Sequence, residues 1–89
     1  MKKIKCDNID YRKGYVEVGS GIHDGYINIE MWDISPEADL KNTDIDDENF
    51  QDNYIQGNTE IEMSISEAND LVSRLKKAIS EVESSNNKT

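Results

Sequence analysis

The residues of this chain whose types and spacing could do chemistry are mainly its carboxylates, and most of these lie in one stretch. Residues 30–52, the acidic segment, carry nine acids against one base, Lys41. DNA shows one phosphate per ~3.4 Å along each strand, while side chains on one face of a protein strand repeat every ~6.6 Å and exposed helix residues lie closer still. Nine carboxylates in so short a stretch could therefore offer a charge density like that of a nucleic acid. The alternative is a solvated loop that keeps a small protein soluble.

Part of the acidic segment has the spacing of a calcium-binding loop. Asp44, Asp46 and Glu48 would occupy its positions 1, 3 and 5. Asn49 then stands where the loop needs glycine, and Ile55 where it needs a bidentate glutamate. We therefore predict no such metal site and leave an irregular, weak divalent-cation site open.

The residues that could act as nucleophile or base are few. Cys6 and His23 are the only residues of their kinds, and neither lies in a recognisable catalytic motif. Gly19-Ser20-Gly21 lacks the further glycine and lysine of a phosphate-binding loop. We expect no catalytic residue, no bound cofactor and no enzymatic activity.

Aromatic residues beside the acids offer apolar anchors for a protein partner, since tyrosine and tryptophan are common at the centres of interfaces. Trp32 and Phe50 are the two within the acidic segment. The predicted partner-binding residues are Glu30, Trp32, Asp33, Glu37, Asp39, Asp44, Asp46, Asp47, Glu48, Phe50 and Asp52.

Composition restricts the class of protein. The chain has 89 residues, a net charge of −9 and one cysteine. Such an excess of acid argues against direct binding to nucleic acid, and one cysteine cannot form an internal disulfide. No apolar run is long enough for a membrane helix or a secretory signal. We therefore expect a cytoplasmic protein without a membrane partner.

Two elements at the C-terminal end have clear patterns. Apolar residues recur at helical spacing over 67–83 and predict an amphipathic helix with Ser66 as its N-cap. Residues 60–65 alternate as a strand does, and Gly57-Asn58 before them predicts a hairpin turn. Residues 84–89 are predicted to be a disordered polar tail.

The first half of the chain reads as strands. Residues 15–18 and 26–32 alternate and flank a turn-rich stretch, which predicts a hairpin, and residues 3–12 could add an edge strand. Ser35-Pro36-Glu37 is a helix-start signature and predicts one or two turns. We expect one α+β domain over residues 1–83. It has a small antiparallel sheet of three to five strands, and the C-terminal helix packs on one face.

Alternation separates two faces of the hairpin. Tyr15, Tyr26 and Trp32 share one face, and Val16, Val18, Ile27, Ile29 and Met31 the other. If the helix covers the aliphatic face, the aromatic face is left at least partly exposed as an interface. The alternative is that residues 34–53 cover the aromatic side chains.

In size, charge and predicted layout the chain resembles small phage-encoded inhibitors of bacterial defence nucleases, including anti-CRISPR proteins and other DNA mimics. The resemblance rests on composition and on the acidic segment, and no functional residue is carried over from it. It implies a non-enzymatic inhibitor that occupies the basic nucleic-acid-binding groove of a larger protein, such as a nuclease. The alternative is a small structural, oligomerisation or accessory domain without such a target. A homodimer is compatible with both.

Overall fold

The computed structural model describes residues 3–86, which form one antiparallel sheet followed by one helix. The strands are β1 (Ile4–Cys6), β2 (Lys13–Ser20), β3 (Tyr26–Ile34) and β4 (Ile55–Ser64), in spatial order β1-β2-β3-β4. The helix is α1 (Ile65–Asn86). This arrangement confirms the predicted α+β class and the strand number.

The strand register assigns each side chain to a face. Tyr15 lies opposite Trp32, and Val16 lies opposite both Ile4 and Met31. Alternation then defines an aromatic face, which carries Lys5, Lys13, Tyr15, Glu17, Tyr26, Asn28, Glu30, Trp32, Ile34, Asn58, Glu60 and Glu62. The aliphatic face carries Ile4, Cys6, Val16, Val18, Ile27, Ile29, Met31, Ile61 and Met63.

The turn between β2 and β3 depends on two glycines. Gly21 and Gly25 have φ values of 89° and 82°, in the left-handed region that side chains with a Cβ rarely adopt. They bracket residues 22–24, and the amide of Tyr26 donates to the carbonyl oxygen of His23. The hairpin predicted for these residues is confirmed.

The predicted turn at Gly57-Asn58 is wrong, because β4 runs straight through it. Gly57 pairs with Asp33, and Asn58 pairs with Trp32. Gly57 does not have a positive φ. The pairing of β3 with β4 is irregular only next to it, where the register shifts between Asp33 and Ile34. At the other edge of the sheet, β1 has three residues, so the strand expected over residues 3–12 is shorter than predicted.

The helix begins earlier and ends later than its apolar pattern indicated. Ser64, not Ser66, provides the cap: the Glu67 amide donates to Ser64 Oγ (3.1 Å), and the Ser64 amide donates to Glu67 Oε1 (2.9 Å). This reciprocal pair is a capping box. At the far end residues 84–86 are helical rather than a tail, and residues 87–89 lie outside the described residues.

The helix packs on the sheet through its first turns only. It contacts β4 and β3 near its start, where Ala68 and Leu71 are half-buried, and every residue from Val72 to Asn86 is exposed. No helix within residues 3–86 is long and apolar enough to cross a membrane.

Residues 35–54, the cover segment, pack on the aromatic face instead. Ala38 and Leu40 are buried against Tyr15 and Ile34, and the partly buried Trp32, Ile45, Phe50, Tyr54 and Ile55 surround them. The predicted alternative in which this part of the chain covers Trp32 and Tyr15 is therefore the observed one. Tyr26, at the other end of the face, is 49% exposed.

The one or two helical turns predicted after Ser35 do not form. The Ala38 amide donates to the Ser35 carbonyl in a single turn, and a 3-10 turn follows only at Asp52–Tyr54. Lysine ammonium groups take the carbonyl oxygens that helical amides would use. Lys13 donates to Pro36 and Ala38, and Lys5 donates to Leu40 (2.8 Å). Side chains from the sheet thus compete with the local helix.

We predict that Leu40→Ala destabilises the protein by about 2–5 kcal/mol, because a side chain 1% exposed leaves a cavity between the cover segment and the sheet. Chemical unfolding followed by circular dichroism measures the change. Ile9→Ala is the control, since Ile9 lies exposed in the β1–β2 connection and its truncation leaves no cavity. Equal losses in the two variants would contradict the packing described.

Candidate protein-binding surface

The acidic segment lies along the end of β3 and the cover segment, on the side of the sheet that carries the aromatic face. Its carboxylates divide into those held by the protein's own groups and those without such contacts. The division decides which of the predicted binding residues remain available to a partner.

Two aspartates hold the cover segment to the basic first strand. Asp44 Oδ1 lies 2.6 Å from Lys5 Nζ and accepts a hydrogen bond from the Tyr15 hydroxyl (3.3 Å). Asp46 Oδ1 lies 3.3 Å from Lys3 Nζ. The hydrogen bond from Lys5 and its charge lower the pKa of Asp44, and the same hydrogen bond raises the pKa of Lys5. These two carboxylates therefore have partners inside the protein.

Two further aspartates shape the backbone of the cover segment. Asp39 accepts hydrogen bonds from the Asn42 side chain (2.7 Å) and the Lys41 amide, and the Asn42 bond lowers its pKa. Asp47 Oδ2 accepts from the Asp44 amide (2.8 Å). Aspartate side chains commonly form such local hydrogen bonds in turns.

The two predicted aromatic anchors are packed within the protein. Trp32 is half-buried beside the core, with Lys3 Nζ 5.0 Å from its ring centroid. Phe50 is also half-buried and meets Tyr54 edge to face, with ring centroids 5.8 Å apart. Both side chains contribute to the packing between the cover segment and the sheet, so the exposed carboxylates are the groups more accessible to a partner.

Several carboxylates of the acidic segment contact no base among residues 3–86. These are Glu37, Glu48 and Asp52, which are exposed on the cover segment, and Asp33, which alternation places on the aliphatic side of the sheet. Glu30 Oε2 accepts one hydrogen bond, from the Asn58 side chain (Nδ2, 3.1 Å). Only Asp33 is turned away from the others.

The strand register places acids from outside the acidic segment beside Glu30. Glu17 and Glu60 lie directly opposite Glu30 on β2 and β4, and Glu62 lies two residues along β4 on the same face. Glu17 pairs with Lys3 (3.5 Å), and Glu62 lies 2.6 Å from His23 Nδ1. Glu60 makes no ion pair with a described residue. The turn-rich stretch centred on His23 was the available signal for Glu17 opposite Glu30.

Like charges directly opposite in neighbouring strands destabilise a sheet. The acidic row, which we define as Glu17, Glu30 and Glu60, therefore places two repulsive pairs in a small domain, and Lys3 relieves only one end. Strands lie ~4.8 Å apart, so the row has a charge spacing close to that of phosphates on a nucleic-acid strand.

The residues considered for metal binding and for catalysis lie in different parts of the fold. No three His, Cys, Asp or Glu side chains within residues 3–86 are placed to hold a metal ion. Asp44 and Asp46, from the calcium-like spacing, face lysines instead. Cys6 is exposed on the aliphatic face of β1, and His23 lies in the β2–β3 turn.

No family model matches the chain, and neither a curated protein nor a solved structure matches it.

We predict that Asp44→Asn destabilises the fold at pH 7 and has a much smaller effect near pH 2. A carboxylate whose pKa is lowered on folding stabilises the protein above its unfolded pKa, and this stabilisation is lost as the pH falls through the folded value. Urea unfolding midpoints over this pH range measure the difference from wild type.

Asp52→Asn is the matched control, since it removes an exposed carboxylate that pairs with no described base. A difference between wild type and Asp44→Asn that is equally large at both pH values would contradict the ion pair with Lys5.

Proposed function

We propose that this protein is a cytoplasmic, non-enzymatic binding module whose acidic surface occupies a basic nucleic-acid-binding groove on a larger protein, as an inhibitor of the DNA-mimic or anti-CRISPR type would. The observation that carries the proposal is the acidic row, where carboxylates face one another across strands at a cost to the fold. Such a row has a use if a basic partner neutralises it.

The proposed surface differs from the one expected from the sequence. It consists of Glu30 and Glu60 on the sheet and Glu37, Glu48 and Asp52 on the cover segment. Asp39, Asp44, Asp46 and Asp47 contribute charge but also maintain the backbone that carries the others. Charge reversal of Asp44, Asp46 and Asp47 together would therefore disturb the fold as well as binding.

The electrostatic potential of the protein favours fast, salt-sensitive association with a basic groove. A net charge of −9 on 89 residues produces a strong negative potential, and such a potential raises association rates at low ionic strength. The acidic surface has no basic groove of its own to follow a nucleic-acid backbone, which is consistent with a protein partner rather than a nucleic acid.

The proposal predicts that Glu30→Gln/Glu60→Gln loses the partner while the fold becomes more stable, because the substitution removes like-charge repulsion within the acidic row. Thermal unfolding should show a higher midpoint than wild type at low salt, and the difference should shrink at high salt. A lower midpoint would contradict the repulsion described.

Binding is tested by capture from a bacterial lysate, followed by elution with salt or with duplex DNA. We expect a nucleic-acid-binding protein that both eluants release and that Glu30→Gln/Glu60→Gln no longer retains. Asp10→Asn/Glu83→Gln removes the same charge elsewhere and should retain it. If nothing is captured, or if both double variants retain the same proteins as wild type, the proposal fails.

A second candidate function is a small structural or oligomerisation domain. The observation that favours it is the exposed aliphatic face, which lies on the other side of the sheet from the acidic row.

A further inference from the structure

The aliphatic face of the sheet is covered only in part. Ile29 is buried at its centre, but Val18 and Ile61 on either side of it are 50% and 54% exposed. Met31, two residues along β3, is 48% exposed, and Ile4 on β1 extends the patch. Soluble monomers rarely leave such a contiguous apolar surface in water. The molecule is 18 Å through its smallest dimension, which corresponds to the sheet and one covering layer.

The helix also has an exposed apolar surface. Its apolar residues form one stripe, the helix stripe, which consists of Ala68, Leu71, Val72, Leu75, Ala78, Ile79 and Val82. Leu75 and Ile79 are 53% and 56% exposed. Most helices in proteins gain their stability from packing of such a face rather than from helix propensity. An apolar stripe that remains exposed to water therefore lacks the packing that normally stabilises a helix.

The total surface measures how much packing is missing. The chain exposes 7050 Å², whereas a globular monomer of 10.1 kDa is expected to expose about 5,300 Å². Its radius of gyration is 15.5 Å against about 12 Å expected for 89 residues. The excess, about 1,750 Å² per chain, is in the range that each partner buries in an obligate homodimer.

Each chain has one aliphatic face and one helix stripe, and the two are in contact only near the start of the helix. β4 ends at Ser64 and α1 begins at Ile65, so no linker residue separates the strand from the helix. The capping box at Ser64 and Glu67 holds the start of the helix at the end of the strand. The exposed part of the helix stripe therefore remains free to pack on the sheet of a second copy.

The charges allow two copies to approach despite the acidic composition. The helix stripe contains no charged residue, and the aliphatic face has one, Asp33, near the end of β3 beyond Met31. The helix as a whole carries four acids and three bases, so its flanks are nearly neutral. The acidic row lies on the opposite face of the sheet, where a second copy on the aliphatic face would leave it exposed.

We propose that two copies of this chain form a symmetric dimer in which the helix stripe of each copy packs on the aliphatic sheet face of the other. The contact is reciprocal, as a two-fold axis requires. This inference stands apart from the proposed function, because it uses the other face of the sheet.

The first test is the mass in solution. Light scattering after size-exclusion chromatography should give twice 10.1 kDa at about 100 µM in 150 mM salt. Leu75→Lys/Ile79→Lys should weaken association by at least about 100-fold, because four buried side chains per dimer become charged. Ser73→Lys/Ser80→Lys places the same charges on the opposite side of the helix and should remain a dimer.

The second test distinguishes helix on sheet from helix on helix. Val18→Glu/Ile61→Glu changes the sheet face and should also give a monomer. Mixing it with Leu75→Lys/Ile79→Lys should restore a heterodimer, since one contact then pairs lysine with glutamate and the other is unaltered. Circular dichroism of each variant checks that the sheet and helix persist.

Three results would overturn the proposal. A wild-type chain that stays at 10.1 kDa at about 100 µM would leave the surface to a different protein partner. A dimer that persists in Leu75→Lys/Ile79→Lys would place the interface elsewhere. A dimer that tolerates Val18→Glu/Ile61→Glu would indicate helix-to-helix pairing, and two monomeric variants whose mixture does not associate would contradict the reciprocal helix-on-sheet contact.

Discussion

The junction between β4 and α1 is the constraint on which the rest of the structure depends. The capping box between Ser64 and Glu67 starts the helix at the residue after the strand ends. The helix therefore contacts the sheet with its first turns only, whereas the cover segment packs on the aromatic face as a layer. The aliphatic face, the helix stripe and the elongated shape all follow from this arrangement.

The cover segment shows how a strongly acidic stretch can fold without helix or extended strand. Five buried or partly buried hydrophobic side chains hold it to the sheet, and lysines of β1, of β2 and just before β1 bind its carbonyl oxygens and two of its aspartates. The charge of the segment is thus partly structural. What remains for a partner is a smaller set of carboxylates, which the sheet register extends with Glu60.

The two proposed surfaces are compatible because they lie on opposite sides of one sheet. A dimer through the aliphatic face would present two acidic surfaces outward, one on each copy. Two such surfaces on one particle would raise the apparent affinity for a partner with two basic sites or for a paired partner. The dimer would also supply the packing that the isolated helix lacks.

The sequence by itself determined the local elements and the separation of charge. Alternation predicted β2, β3 and the residues of β4 before the helix, and helical spacing predicted α1, since these patterns arise from backbone geometry within a few residues. Composition alone located the acidic segment. What the sequence could not determine was how a residue is used when its partner lies far along the chain.

Only the tertiary structure decided those uses. Gly57-Asn58 looks like a turn but pairs with β3, and Ser35-Pro36 looks like a helix start, but Lys13 binds the carbonyl oxygens of Pro36 and Ala38. Asp44 and Asp46, which the sequence offered as binding residues, also hold Lys5 and Lys3, and Glu60 joins the acidic row through its register. The face that the cover segment occupies was likewise decided by contacts between residues far apart in the chain, such as those of Lys5 with Leu40 and Asp44.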